Sequence, residues 1–151
     1  MRRKDREMPR DFAEKVIDSA KFATMGTVDV NGKPYCVTLS MVRDGGCLYF
    51  HCAQTGKKLD CIRRNDDVCV TFIGETQIPD GKFTIYYESA VVFGTAEEVV
   101  DEGEKIRALR ILCEKFTPNN MSSFDGAIAQ SLGITSVWKI GIDRITSKRN
   151  G

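Results

Sequence analysis

The spacing of apolar residues changes from helical to alternating within the first third of the chain. Pro9 precedes a stretch with apolar residues at helical spacing, which predicts an amphipathic helix that ends near Lys21. The apolar positions of this helix are Phe12, Val16, Ile17 and Ala20. From Phe22 onward, β-branched and apolar residues alternate with polar ones, which indicates strands. The helix is therefore expected to lay its apolar stripe on a sheet.

Six β-rich runs account for most of the remaining pattern. They cover residues 24–30, 35–42, 47–51, 68–73, 84–99 and 135–142. Asn31 and Gly32 separate the first two runs and favour a hairpin, and a turn from Asp44 to Gly46 leads into the third run. The simplest topology for the first three runs is a three-stranded antiparallel meander.

Three helical segments interrupt these runs. One follows Gly56 and ends near Asn65, one begins at Asp101, and a weak one covers residues 124–132. The segment after Asp101 carries one apolar face, formed by Ile106, Leu109, Leu112, Cys113 and Phe116. Few of the strands are separated by helices long enough for a parallel crossover. The pattern therefore predicts a mainly β fold, a six-stranded antiparallel barrel with helices on its outside.

Length and charge narrow the candidate classes further. A chain of 151 residues, 42% hydrophobic and 28% charged, is typical of one folded domain. We expect residues 1–151 to form this domain, with residues 1–8 as a flexible, solvated basic tail. The formal net charge of +1 argues against nucleic acid as a partner. No apolar run approaches the roughly 20 residues of a membrane span and no signal peptide is visible, so we expect no membrane partner and a cytoplasmic location.

The six cysteines match neither a disulfide framework nor a metal site. The chain has no C-x-x-C motif, and its single histidine, His51, adjoins Cys52 without the spacing of a ligand pair. Several cysteines alternate with apolar residues on predicted strands. We therefore expect reduced and mostly buried thiols, and no metal.

The segment from Leu48 to Lys58 sends a strand through a short loop into a helix whose first turn carries Lys57 and Lys58. Unpaired N–H groups and the helix dipole favour an anion at such a helix start, and Gly56 permits close approach of the backbone. Two lysines at this end repel the dipole unless an anion lies between them. The segment therefore predicts a phosphate site that is not a Walker loop. The alternative is that both lysines are simply solvated.

His51 is placed at the end of the third predicted strand. Such a histidine can donate a proton, bind a metal or contact a cofactor, and the alternative is a structural or merely exposed side chain. The chain has no Gly-x-Ser-x-Gly motif and no local pairing of carboxylates that would indicate acid–base catalysis. Hydrolytic chemistry therefore has no support in the sequence.

Three segments, taken in order, resemble the pyridoxamine-phosphate-oxidase-like family of FMN-binding split barrels. They run from Pro34 to Ser40, from Leu48 to Leu59 and from Tyr87 to Ala96. The resemblance covers nearly the whole chain, and a histidine in the place of His51 is typical of the Nim-type branch, which is named for nitroimidazole resistance. The resemblance implies a six-stranded, antiparallel Greek-key split β-barrel with flanking α-helices.

The resemblance also implies roles for individual residues. Lys57 and Lys58 would clasp the phosphate of FMN, and Glu88 and Ser89 would approach from the second subunit of a homodimer that holds FMN in its intersubunit groove. The residues bordering the flavin would be Val37, Thr38, Leu39, Ser40, His51, Cys52 and Ala53. Trp138 resembles a position near the flavin edge, with a core or interface aromatic as the alternative.

The activity implied by the resemblance is that of an FMN-dependent oxidoreductase whose small-molecule substrate meets His51, the candidate catalytic residue. True pyridoxamine-phosphate oxidases carry an Arg-x-His substrate pair near the C-terminus, and Arg144 is not followed by such a histidine, so oxidation of vitamin B6 is not expected. Nitro-group reduction is the expected reaction. Two alternatives stay open. One is a non-enzymatic flavin-binding module, and the other is a haem-handling protein with His51 or a cysteine as the axial ligand.

Overall fold

Eight antiparallel β-strands form the framework of the computed structural model, which describes residues 2–151. The strands are β1 (Glu7–Met8), β2 (Ala23–Val28), β3 (Pro34–Leu39), β4 (Val42–Asp44), β5 (Cys47–Ala53), β6 (Asp67–Gln77), β7 (Tyr86–Glu98) and β8 (Thr135–Asn150). The helices are α1 (Arg10–Ser19), α2 (Lys57–Arg64), α3 (Glu102–Phe116) and α4 (Phe124–Ser131), with 3₁₀ turns at Lys4–Arg6, Pro118–Ser123 and Leu132–Ile134. No helix in residues 2–151 combines the length and the apolar composition that a membrane crossing requires.

The strands form one open sheet in the order β3-β2-β6-β7-β8-β5-β4, and β1 pairs with β8. The edges of this sheet are β3 and β4, and only Ser40 and Met41 separate these two strands along the chain. The sheet therefore curves back towards its own start without pairing across the gap. This architecture confirms the predicted mainly β, antiparallel fold of split-barrel type with flanking helices.

Two details of the predicted strand layout are wrong, since the sheet has eight strands rather than six and its first strands form no three-stranded meander. The predicted run 35–42 is interrupted at Ser40 and Met41 and becomes β3 and β4. Strand β5 pairs with β4 and β8 rather than with β3. The side chain of Met41 is buried at the interruption, which anchors the chain where it passes from one edge of the sheet to the other.

Both ends of the chain pair more extensively than the sequence pattern predicts. Strand β8 continues beyond Ile142 to Asn150 and pairs with β7 over the added length. Strand β1 pairs with β8, so the structure contradicts a solvated tail for this part of residues 2–8, while Met1 lies outside the described residues. Backbone hydrogen bonds hold these segments, and most of their side chains are exposed or half-buried. Pairing of this kind leaves little apolar alternation in the sequence.

The two faces of the sheet carry separate apolar cores. Along β5, Leu48 and Phe50 are fully buried in the larger core, whereas Tyr49 between them belongs to the smaller core. This division follows from the strand itself, because successive side chains point to opposite faces. Helices α1 and α2 pack on the larger core, where Ile17 and Leu59 are fully buried. Helices α3 and α4 pack on the smaller core.

A close approach of two backbones fixes the pairing of β7 with β8. The register of this pair shifts between Phe93 and Gly94. A Cβ atom on Gly94 would overlap the carbonyl oxygen of Gly141, so only glycine fits at this position.

All six cysteines carry free thiols. Cys61 is buried, Cys36 is exposed and the other four are half-buried, so the prediction of mostly buried thiols is wrong in this respect. Burial raises the pKa of the Cys52, Cys61 and Cys69 thiols. These three side chains are therefore protonated at neutral pH and poorly nucleophilic.

Candidate functional site

The N-terminus of α2 is an open helix end. Gly56 turns the chain into the helix with φ 135° and ψ 160°, a conformation that residues with a side chain rarely adopt. Its carbonyl oxygen accepts hydrogen bonds from the N–H groups of Leu59 and Asp60 at 2.8 and 3.2 Å. Glycine offers no side chain to cap the helix, and the N–H groups of Lys57 and Lys58 lack an intrahelical acceptor. The positive end of α2 can therefore receive an anion.

The two lysines flank this helix end on different sides. Nζ of Lys57 lies 4.8 Å from the ring centroid of Tyr35 on β3. Lys58 is half-buried near the end of β5, where its charge partly offsets the burial that raises the pKa of Cys52. Two positive charges thus bracket the uncapped helix start. Charge-assisted hydrogen bonds from both lysines could hold one phosphate group there.

An unpaired strand edge borders the same helix end. Within residues 2–151, β3 pairs only with β2. Val37 and Leu39 pack against the larger core, whereas Thr38 is exposed. Because Tyr35 of this strand contacts Lys57, the edge of β3 lies beside the start of α2. Its free N–H and C=O groups could hydrogen-bond a planar ligand or another chain.

A cavity of about 460 Å³ lies on the smaller-core face, between the sheet, α3 and α4. We term it the α3–α4 cavity. Ser40, His51 and Thr135 line it from the sheet side, so two of the predicted site residues meet here. Its walls are Leu109, Leu112, Cys113 and Phe116 of α3, the following Thr117, and Phe124, Ala127, Ile128 and Ser131 of α4.

His51 occupies the mouth of this cavity. The residue is exposed on the solvent side, yet the surrounding walls displace enough water to lower the pKa of its imidazole, with burial as the cause. The neutral imidazole is therefore favoured at neutral pH, with one N–H donor and one nitrogen acceptor. Such a group can exchange a proton with a molecule held in the cavity.

Trp138 is buried in the larger core. Its indole N–H donates to Oγ of Ser136 at 3.1 Å, and the Ser136 hydroxyl donates to Oε1 of Glu98 at 2.6 Å. The guanidinium of Arg63 lies 5.8 Å from the indole centroid and 3.4 Å from Oε2 of Glu98. The indole N–H therefore has its hydrogen-bond partner within the chain, as expected if Trp138 is a core aromatic. A contact between Trp138 and flavin stays a prediction.

Glu88 and Ser89 lie on β7, opposite Arg149 and Lys148 of β8. The carboxylate of Glu88 lies 3.9 Å from the guanidinium of Arg149. The approach of Glu88 and Ser89 to the flavin from a second subunit stays a prediction.

The walls of the α3–α4 cavity are not predicted by the sequence pattern. The spacing of apolar residues in 109–116 predicts a packing face, and this face does turn towards the sheet. The spacing cannot show that α4 leaves a gap between itself and this face. The available signal is the low side-chain bulk of α4, which contains Gly126, Ala127 and Ala129. The sequence pattern also does not identify Tyr35, which contacts Lys57, as a site residue.

Comparisons with known proteins support this description of the fold. A family model for pyridoxamine 5'-phosphate oxidase matches residues 9–149. A proposed 5-nitroimidazole antibiotic resistance protein from Bacteroides thetaiotaomicron is 28% identical, with a TM-score of 0.80 over 95% of this chain and 86% of the other. No curated protein matches the chain.

Two less similar structures share the fold. A FAD and heme binding protein from Mycobacterium smegmatis has 20% identity and a TM-score of 0.83, covering 96% of this chain and 73% of its own. A FAD-binding protein from Mesorhizobium loti has 21% identity and a TM-score of 0.70, covering 97% of this chain and 98% of its own. The predicted resemblance, including its Nim-type aspect, is confirmed by the family match and the Bacteroides protein. The chain belongs to the pyridoxamine 5'-phosphate oxidase family.

Proposed function

We propose that this protein binds FMN through its phosphate at the N-terminus of α2 and acts as an FMN-dependent oxidoreductase. The observation that carries this proposal is the uncapped helix start at Gly56, bracketed by Lys57 and Lys58 beside the free edge of β3. These groups fit a phosphate monoester, which needs N–H donors and positive charge. The adjoining edge, from Val37 to Ser40, offers backbone groups to the flavin ring.

The chain's own residues have distinct tasks in this proposal. Bound flavin would supply hydride or electron transfer. The lysines and the α2 backbone hold the phosphate, the segment from His51 to Ala53 borders the ring, and the neutral His51 exchanges a proton with the substrate. Reduction of a nitro group is the proposed reaction. The similarity to the Bacteroides protein named for 5-nitroimidazole resistance supports it.

We also propose that the functional unit is a homodimer. Large apolar side chains are exposed on β6 and on the loop between β6 and β7, including Ile73 at 62%, Ile78 at 78% and Phe83 at 112%. Exposed apolar surface of this kind is typical of a surface that another chain covers. A second copy seated there would bury these side chains and could bring its Glu88 and Ser89 to the flavin.

The cofactor is tested by titrating flavin-free protein with FMN, riboflavin and FAD. Charge-assisted hydrogen bonds contribute about 1.5–3 kcal/mol each, so Lys57→Ala or Lys58→Ala should weaken FMN binding by roughly ten- to a hundredfold. Riboflavin lacks the phosphate and should bind both variants as it binds the unmodified protein. Lys15→Ala, which removes an exposed lysine of α1, is the matched control and should leave FMN affinity unchanged.

Several outcomes would redirect the proposal. If both lysine variants bind FMN normally, the phosphate site is elsewhere. Tighter binding of FAD than of FMN would change the cofactor, and a Soret band in the purified protein would favour the haem alternative. His51→Ala should keep its FMN but lose reduction of a nitroaromatic compound. Loss of FMN binding in that variant alone would move His51 from the substrate side to the cofactor side.

A further inference from the structure

The walls of the α3–α4 cavity are two helix faces with the same spacing. On α3 the lining positions are 109, 112, 113 and 116, and on α4 they are 124, 127, 128 and 131. Each set follows the i, i+3, i+4, i+7 pattern of one helix face. Both helices therefore direct one face into the same space, and the two faces do not close on each other.

The lining is apolar and without formal charge. No residue that lines the cavity, among residues 2–151, is an acid, a lysine or an arginine. Phe116 and Phe124 supply aromatic surface, and the low pKa of His51 keeps its imidazole neutral. Burial of an ionised group in such surroundings is unfavourable, because nothing replaces its hydration.

The hydrogen-bond donors available to a ligand lie on the sheet side of the cavity. The hydroxyl of Thr117 donates to the carbonyl of Cys113 at 3.2 Å, and that of Ser131 donates to the carbonyl of Ala127 at 2.8 Å. These two hydroxyls therefore keep only acceptor lone pairs for a ligand. On the sheet side, the neutral imidazole of His51 carries one donor and one acceptor.

The size of the cavity fits a small ligand. Its volume of about 460 Å³ falls within the roughly 300–1,000 Å³ of small-molecule sites. The cavity is open to solvent, because His51, Thr117 and Ala127 of its lining are exposed. The helix α4 that forms one wall buries only Phe124 among its residues, so this wall can yield to an entering molecule.

We propose that the α3–α4 cavity binds an uncharged aromatic molecule, with its ring against Phe116 and Phe124 and a hydrogen-bonding atom towards His51. The role of the cavity as the substrate compartment of an oxidoreductase rests on the proposed function. Binding of the aromatic molecule itself does not require flavin.

The test uses nitrobenzene and 4-nitrobenzoate as matched probes, titrated by ligand-observed NMR against the flavin-free and the FMN-treated protein. Ala127→Trp should fill the cavity and weaken nitrobenzene binding by about tenfold or more. Ala129→Trp is the matched control, because both alanines are exposed on the same helix and only Ala127 lines the cavity. Ala127→Leu, a smaller change, should weaken binding less and in the same direction. The carboxylate probe should bind at least about tenfold more weakly than nitrobenzene.

The inference is overturned by absence of saturable nitrobenzene binding, by equal effects of the Ala127→Trp and Ala129→Trp changes, or by equal affinity for the charged probe. A second copy of the chain that fills the cavity would produce the first of these results. The outcome is separable from that of the proposed function. If FMN fails to bind but nitrobenzene binding still depends on Ala127, the cavity stands and the cofactor proposal falls. If FMN binds and nitrobenzene does not, the reverse holds.

Discussion

The two faces of β5 are packed in different ways. On one face, Leu48 and Phe50 are fully buried in a core that α1 and α2 close from outside. On the other face, Tyr49 is buried but His51, two residues further along, opens into the α3–α4 cavity. The same strand thus supports close packing on one side and a void on the other. Substitutions on the open face should therefore disturb the fold less than substitutions on the closely packed face.

Matched leucines provide the largest test of this comparison. Leu48→Ala should create a new void in the larger core and lower the free energy of unfolding by about 3–5 kcal/mol. Leu112 is buried to a similar degree but borders the existing cavity, so Leu112→Ala should cost only about 2–3 kcal/mol. Urea unfolding of both variants at one protein concentration measures the difference. Equal losses would mean that the cavity is closed in solution.

Buried hydroxyl groups show what the larger core demands of polar atoms. Ser136→Ala removes the acceptor of the Trp138 indole N–H and should cost about 1–3 kcal/mol. In contrast, Oγ1 of Thr27 is buried without a hydrogen-bond partner among the described residues. Thr27→Val should therefore be neutral or stabilise the protein by up to about 1 kcal/mol. Thermal and urea unfolding give both values, and a destabilised Thr27→Val protein would indicate a bound water at this hydroxyl.

A single hydrogen bond links the loop before α2 to the far side of the cavity. The side-chain amide of Gln54 donates to the carbonyl of Gly133, just after α4, at 2.7 Å. Gln54→Ala should remove about 0.5–1.5 kcal/mol from the local stability of residues 124–134, which corresponds to roughly two- to tenfold faster amide exchange there. Gln77→Ala, at the end of β6, is the control and should leave this exchange unchanged. Faster exchange across the whole chain would show a global effect instead.

The sequence predicts those parts of the molecule whose residues carry a local signal. The short apolar run from Cys47 to Phe50 locates β5, the lysine pair with Gly56 locates the start of α2, and spacing locates the apolar face of α3. The extension of β8 to Asn150 is not predicted, because backbone pairing with β7 holds it and its side chains are largely polar. The cavity cannot be predicted either. It is an absence of packing between two helix faces, each of which looks like an ordinary core-facing stripe.

The smallest expected effect is a pH dependence of stability that comes from His51. Burial lowers its pKa in the folded protein below the ordinary value of 6.5, so the unfolded chain binds more protons between these two values. The free energy of unfolding should therefore rise as the pH increases from the pKa of His51 in the folded protein to 6.5. Above pH 6.5 the imidazole is neutral in both states, and His51 no longer changes the stability. His51 is the only histidine of the chain, so His51→Gln should remove this slope and leave the titration of carboxylates at lower pH intact. Urea midpoints of both proteins between about pH 5 and 7.5 measure it. Because the residue is exposed at the cavity mouth, the slope should be slight, and a slope of opposite sign would mean that an anion near His51 favours its charged form.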